Sequence, residues 1–150
     1  MTGDNQIIDF SYLTPVSNFK NRNVLKEFIR GLIQQEGHTL DCLTYIFCTD
    51  DYLLNYNKQY LNHDTLTDII TFQLNQNGFP LLADVYISID RVKENALTYH
   101  NSFSHELHRV IFHGALHLCG YGDKTPSEQK IMTQKENDYV QNYFVPRETF

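Results

Sequence analysis

Apolar residues recur along this chain with two different spacings, and the change from one to the other marks out strands and helices. Gln6-Ile7-Ile8-Asp9-Phe10 alternates closely enough to predict a first strand. From Asn21 to Gln35 the spacing widens to that of an amphipathic helix. Val24, Phe28 and Leu32 form one stripe, Leu25, Ile29 and Ile33 lie beside it, and Gly37 ends it. Leu43-Thr44-Tyr45-Ile46-Phe47-Cys48 is a β-rich run, and Thr49-Asp50-Asp51 then caps a helix reaching about Tyr60. Asp68 to Leu74 and Ala83 to Ile89 predict two more strands. The turn residues Asn77-Gly78-Phe79-Pro80 between them favour an antiparallel hairpin. Beyond Asp90 the pattern is helical: Asp90 to about Tyr99, Ser104 to Cys119, and a last helix opened by Thr125-Pro126-Ser127-Glu128. Pro126 suits the first helical position there, with Thr125 as cap. Strands early and helices late predict an α+β fold, a mixed β-sheet with helices packed on it.

The helix from Ser104 to Cys119 is expected at the centre of that packing, because Leu107, Val110, Ile111, Ala115 and Leu118 follow apolar helical spacing. His105 and His108 precede the motif described below without sharing its offset and are expected on the solvated surface. At 150 residues the chain has the length of one ordinary domain, 1–150, and its 41% hydrophobic and 20% charged content is that of a globular protein. No apolar run approaches a membrane span, and Met1-Thr2-Gly3-Asp4-Asn5 lacks the basic-then-apolar order of an export signal. Cys42, Cys48 and Cys119 contain no CxxC pair. Cys42 and Cys48 read as core thiols and Cys119 as packing, which together predict a reduced, cytoplasmic protein. A net charge of −6 argues against a general nucleic-acid binder, although a small positive groove can coexist with an acidic remainder.

The chemistry is concentrated in His113-Gly114-Ala115-Leu116-His117-Leu118-Cys119-Gly120-Tyr121-Gly122-Asp123. Histidines four apart share one helix face. Gly120 can end the helix in a left-handed turn, bringing Asp123 back toward both imidazoles. His113, His117 and Asp123 are therefore the expected metal ligands and catalytic residues. Three N/O ligands leave a fourth position open, as catalytic zinc sites do. Nickel and other divalent ions accept the same donors. The spacing is also close to that of metzincin zinc proteases, except that Gly114 stands where they carry the general-base glutamate. A zinc metallopeptidase is thus an alternative that glycine opposes, since glycine cannot take a proton from water. Gly114 either leaves a roomy cleft beside the metal or lets a neighbouring strand approach closely.

HGALHLCGYGD resembles the HGxLHLxGYDH signature of the YbeY family of metal-dependent endoribonucleases that mature ribosomal RNA. The similarity extends over about Asn57 to Glu136. Leu66-Thr67-Asp68-Ile69-Ile70-Thr71-Phe72 resembles that family's PTDVLSF strand and Ala83-Asp84-Val85-Tyr86-Ile87-Ser88 its GDIxIS strand. Glu128, Met132 and Glu136 fall on its trailing pattern. Asp123 occupies the position of the third histidine, Gly122 that of the preceding aspartate, and Leu61 a position where the family usually has arginine. The resemblance implies a zinc-dependent, single-strand-specific endoribonuclease acting in 16S rRNA 3′-end processing and ribosome quality control. Its partners would be ribosomal RNA and the ribosomal subunit. The departures make a catalytically weak ribosome-associated factor a further alternative. Phosphate binding would pass to Arg109, Lys124 or Arg91. Asp84 and Asp68 are strand-borne candidates for proton transfer, with hydrogen bonding to neighbouring backbone as their other role. Tyr121 either positions a ligand or packs against the final helix.

Overall fold

A computed structural model describes residues 5–60 and 66–149, with backbone alone described for residue 60 and for 146–149. Leu61 lies outside the described residues. Four strands form one mixed sheet: β1 (Ile7–Tyr12), β2 (Leu40–Cys48), β3 (Ile69–Gln73) and β4 (Leu81–Ser88), in the spatial order β1-β2-β4-β3. β1 and β2 are parallel, as are β2 and β4, whereas β3 runs antiparallel to β4, with Ile69 opposite Ile87 and Gln73 opposite Ala83. The expected hairpin is therefore present, and the fold is α+β. The helices are α1 (Arg22–Gln35), α2 (Asp50–Tyr60), α3 (Ile89–Thr98), α4 (Phe103–Leu118) and α5 (Pro126–Thr149).

Alternation along β4 shows how the two sheet faces divide. Ala83, Val85 and Ile87 are buried in the main core, while Asp84 and Tyr86 point to the opposite face, over which α2 packs. α4 lies against the first face and touches α1, α3 and α5 as well as β3 and β4. It buries Leu107, Val110, Ile111, Phe112, Ala115 and Leu116 almost completely. Each such large aliphatic or aromatic side chain contributes on the order of 1.5–3 kcal/mol. Tyr45 of β2 adds a specific tie, its buried hydroxyl donating to the Ile111 carbonyl at 2.9 Å. α4 is thus the rigid central element expected from its apolar spacing.

Two local features place the site. Ser102 caps α4 by accepting from the His105 backbone N–H at 3.0 Å. At the other end Gly120 adopts φ 109°, a conformation that costs glycine little, and the chain doubles back there. The Tyr121 N–H bonds back to the Leu116 carbonyl at 3.1 Å. α5 then starts on a capping box: Glu128 N–H donates to Thr125 Oγ1 at 3.1 Å, and Thr125 N–H donates to Glu128 Oε1 at 3.0 Å. Its buried stripe, Met132, Glu136, Tyr139, Val140 and Tyr143, covers α4.

Candidate active site

Neither histidine of the motif is held by its own helix alone. His113 Nδ1 lies 2.5 Å from Glu136 Oε2, on α5. An ionised carboxylate only accepts, so Nδ1 carries a proton, and in the neutral ring the lone pair is on Nε2. His117 Nδ1 lies 3.2 Å from the Tyr121 carbonyl, which imposes the same tautomer. Both rings therefore keep Nε2 for something else, the arrangement in which metal-ligating imidazoles are normally supported. His113 Nε2 is 3.4 Å from Asp123 Oδ2. The structure thus brings His113 and Asp123 together, while among the described residues no three His, Cys, Asp or Glu side chains gather closely enough to hold an ion. His117 is exposed and Asp123 largely so, and neither side chain is locked by packing.

Behind His113 lies a buried charge network. Arg109 donates to Glu106 through Nε at 3.0 Å and Nη2 at 2.5 Å, and to Glu136 Oε1 through Nη1 at 2.8 Å. Glu106 is fully buried and Glu136 nearly so. Burial alone would push the Arg109 pKa down, but its two carboxylate partners outweigh that and hold it above its ordinary value. The His113 pKa follows the same logic. Burial lowers it, the Glu136 hydrogen bond and charge raise it, Asp68 and Asp123 add to the rise, and the net direction is upward. With one cation and two anions, the network presents a negative charge to the buried side of the imidazole.

Several expectations are corrected here. Arg109 is occupied by Glu106 and Glu136 and is not a free phosphate ligand. Arg91 is bridged to Asp50 Oδ2 at 3.2 Å. Lys124, next to Asp123, is the exposed cation left of the three. Asp84 faces the side of the sheet away from α4, whereas Asp68, at the start of β3, interacts with Arg109 and His113. Burial raises the Asp68 pKa more than Arg109 and His113 lower it. Its main-chain carbonyl accepts from the Ser88 N–H at 2.9 Å, while its carboxylate accepts from the Asn95 side-chain amide at 3.5 Å. Gly114 opens no cleft. A Cβ there would come within 2.9 Å of Ile69 Cδ1 and 3.1 Å of Val85 Cγ1, so the glycine serves close approach of β3 and β4.

The remaining site-adjacent residues divide by contact. His108 is not on the surface: it is buried against Tyr143 (5.0 Å between centroids) and Phe144 (5.0 Å), and its Nδ1 meets the Ser104 carbonyl at 2.6 Å. His105 is half-buried. Cys48 is buried, Cys42 and Cys119 partly so, and burial raises the Cys119 pKa to about 12, consistent with packing. Tyr121 packs against the final helix, with Lys135 of α5 covering its ring at 5.4 Å; its hydroxyl donates to Glu36 at 2.7 Å and its main-chain carbonyl meets His117 Nδ1. Gly122 leaves room for Glu128, whose Oε2 would be 2.7 Å from a Cβ. Glu106, and the way Glu136 acts, escaped the sequence reading. Their signal was a carboxylate inside an otherwise apolar stripe.

Comparison with known proteins agrees with the motif. The family model described as "Endoribonuclease YbeY" matches residues 8–144. A protein of that name from Amoebophilus asiaticus is 45% identical over 120 residues, covering 80% of this chain and 82% of that one. Another, from Flavobacterium johnsoniae, is 39% identical over 93% of this chain and 99% of its own length. Among solved structures, the solution structure of TM1509 from Thermotoga maritima is similar at a TM-score of 0.67 and 26% identity, covering 95% of this chain and 92% of that one. The resemblance first carried by HGALHLCGYGD therefore extends through both sheet edges and the C-terminal helix, and the chain belongs to the YbeY endoribonuclease family.

Proposed function

We propose that this protein is a zinc-dependent, single-strand-specific endoribonuclease of the cytoplasm that acts on ribosomal RNA within the ribosomal subunit, in 16S 3′-end maturation and ribosome quality control. Family membership supports the nuclease class. The observation that carries the metal dependence is the double anchoring of Nδ1, by Glu136 on His113 and by the Tyr121 carbonyl on His117. The donor set fits a divalent ion: two neutral Nε2 atoms and the Asp123 carboxylate are ligand types zinc accepts, with a coordination position to spare.

His113, His117 and Asp123 would hold the ion, each imidazole keeping its Nδ1 partner and presenting Nε2. When bound, it supplies Lewis-acid polarisation of a phosphoryl oxygen and stabilises charge on it. Asp68, its carboxyl pushed up by burial, would take a proton from an attacking oxygen, since a base works best with a pKa drawn toward the working pH. Lys124 is placed to contact a non-bridging phosphate oxygen next to Asp123. A peptidase of metzincin type is disfavoured on packing as well as chemistry, because a glutamate at position 114 would be driven into Ile69 and Val85. The test is incubation of zinc-loaded protein with single-stranded rRNA fragments and, separately, with casein. RNA cleavage without casein cleavage is expected, and the reverse would overturn the assignment. In cells, His117→Ala is expected to accumulate precursor rRNA; normal rRNA ends in that strain would favour the weakly active ribosome-associated factor.

A further inference from the structure

An enzyme that acts on a polyanion while carrying a net charge of −6 has to hold its substrate on a locally positive surface. Near the candidate site Arg109 is neutralised by two carboxylates, Arg91 by Asp50 and Lys135 by Glu36 at 3.3 Å, which leaves Lys124 alone exposed among these four. The denser positive charge lies elsewhere. Of the 12 lysines and arginines, Lys20, Arg22, Lys26 and Arg30 fall within one short stretch, against a single carboxylate, Glu27. Glu27 is taken by Arg30 at 2.5 Å.

Arg22 and Lys26, one turn apart on α1, face the edge strand β1 across a cleft of about 430 Å³ lined by Phe10, Tyr12, Arg22, Asn23 and Lys26. Each cation rests on an aromatic ring. Arg22 Cζ is 5.8 Å from the Tyr12 ring centre, its Nη1 donating to the Tyr12 hydroxyl at 3.1 Å, and Lys26 Nζ is 5.5 Å from the Phe10 ring centre. These contacts fix the two charges in place, so that holding an anion costs less side-chain entropy than it does for free lysines. The nearest β1 carboxylate, Asp9, alternates to the opposite face of the sheet from Phe10. α1 carries no acid in its first turn.

From these observations we infer that the cleft between β1 and the start of α1 is an accessory site for single-stranded RNA, gripping the phosphate backbone of the substrate away from the scissile bond. α1 joins it to the candidate active site. Its C-cap residue Glu36 accepts from Tyr121, whose carbonyl holds His117. The 14 residues of that helix span about 21 Å at 1.5 Å per residue, a reach of several nucleotides.

The inference rests on the ribonuclease assignment, and the experiment separates the two. Binding of fluorescein-labelled oligouridine is measured by anisotropy in EDTA over a salt series, for wild type, for Arg22→Gln/Lys26→Gln, and for Lys93→Gln/Lys130→Gln, which removes the same charge elsewhere. The Arg22/Lys26 variant is expected to bind about tenfold more weakly, with a log–log salt slope shallower by about 1.4, the release expected for two phosphate contacts on a single strand. In zinc its KM is expected to rise for RNA long enough to span both sites, with kcat unchanged, while a trinucleotide substrate shows no difference. Equal weakening by both double variants, or no weakening by the first, overturns the accessory site and leaves the cleft to an acidic protein surface. Wild-type protein that neither binds nor cleaves RNA overturns the ribonuclease assignment itself.

Discussion

Replacing Glu136 by glutamine isolates what the buried network does for His113. The substitution keeps the volume of the side chain, which is 4% exposed, and removes its charge. Two contacts change: the one to His113 Nδ1 at 2.5 Å and the one from Arg109 at 2.8 Å. Charge-assisted hydrogen bonds of this kind contribute about 1.5–3 kcal/mol each. The amide oxygen still accepts, and Arg109 keeps both bonds to Glu106, so the expected loss of stability is about 2 kcal/mol for the pair. That corresponds to a fall in Tm of roughly 4–8 °C at this chain length. The effect on metal is separate. Removing the partner that orients a ligating imidazole typically weakens metal affinity by about 10–100-fold, and the amide can also donate to Nδ1, which would place the proton on Nε2 and block it. Zinc affinity is read by competition with a chromophoric chelator at a temperature where both proteins are folded. Val110→Ala, a core truncation on the same helix, serves as a control that lowers stability and leaves zinc affinity unchanged. Glu136→Gln that binds zinc as tightly as wild type would refute the positioning role, whatever its Tm.

Gly114→Glu is expected to destabilise the protein by about 1–3 kcal/mol through overpacking against Ile69 and Val85, and to produce no casein cleavage; a stable variant with peptidase activity would contradict the packing reading. Glu36 gives a pH signature. Burial raises its pKa, but hydrogen bonds from Tyr139, Tyr121 and Lys135 outweigh that and hold it below 4.5. A lowered carboxylate contributes stability that is present above pH 4.5 and lost as pH falls through the folded value, so Glu36→Gln is expected to flatten the acid limb of a Tm–pH profile and lower Tm at neutral pH. Asp68→Asn is expected to reduce kcat for RNA cleavage by about 10²–10⁴-fold with zinc content unchanged, and a fall in zinc content alone would instead assign Asp68 to metal support.

Which parts of the molecule were legible in the sequence follows from the range of the forces involved. Spacing within one element is set by backbone geometry, so α1, α4, the β3–β4 hairpin and the capped start of α5 could be read from the positions of Val24, Leu25, Val110, Gly78 and Thr125. Strand ends moved because pairing, not local composition, decides them: β2 begins at Leu40, and β1 runs on to Tyr12 because β2 continues opposite it. The closeness of His113 and Asp123 was visible for the same local reason, through the turn at Gly120. The support behind His113 was not, since the contact from His113 to Glu136 depends on how α5 lies across α4. His108 was misplaced at the surface because its burial is supplied by Phe19, Tyr143 and Phe144, all distant in the chain.

The most direct measurement of the central claim is cleavage of single-stranded rRNA by protein stripped with EDTA and then reloaded with zinc, in parallel for wild type, His117→Ala and Asp123→Ala, with bound metal quantified in each sample. Activity that disappears on stripping and returns with one equivalent of zinc in the wild type alone is the predicted result. Undiminished cleavage by the stripped protein, or by His117→Ala lacking metal, would contradict it.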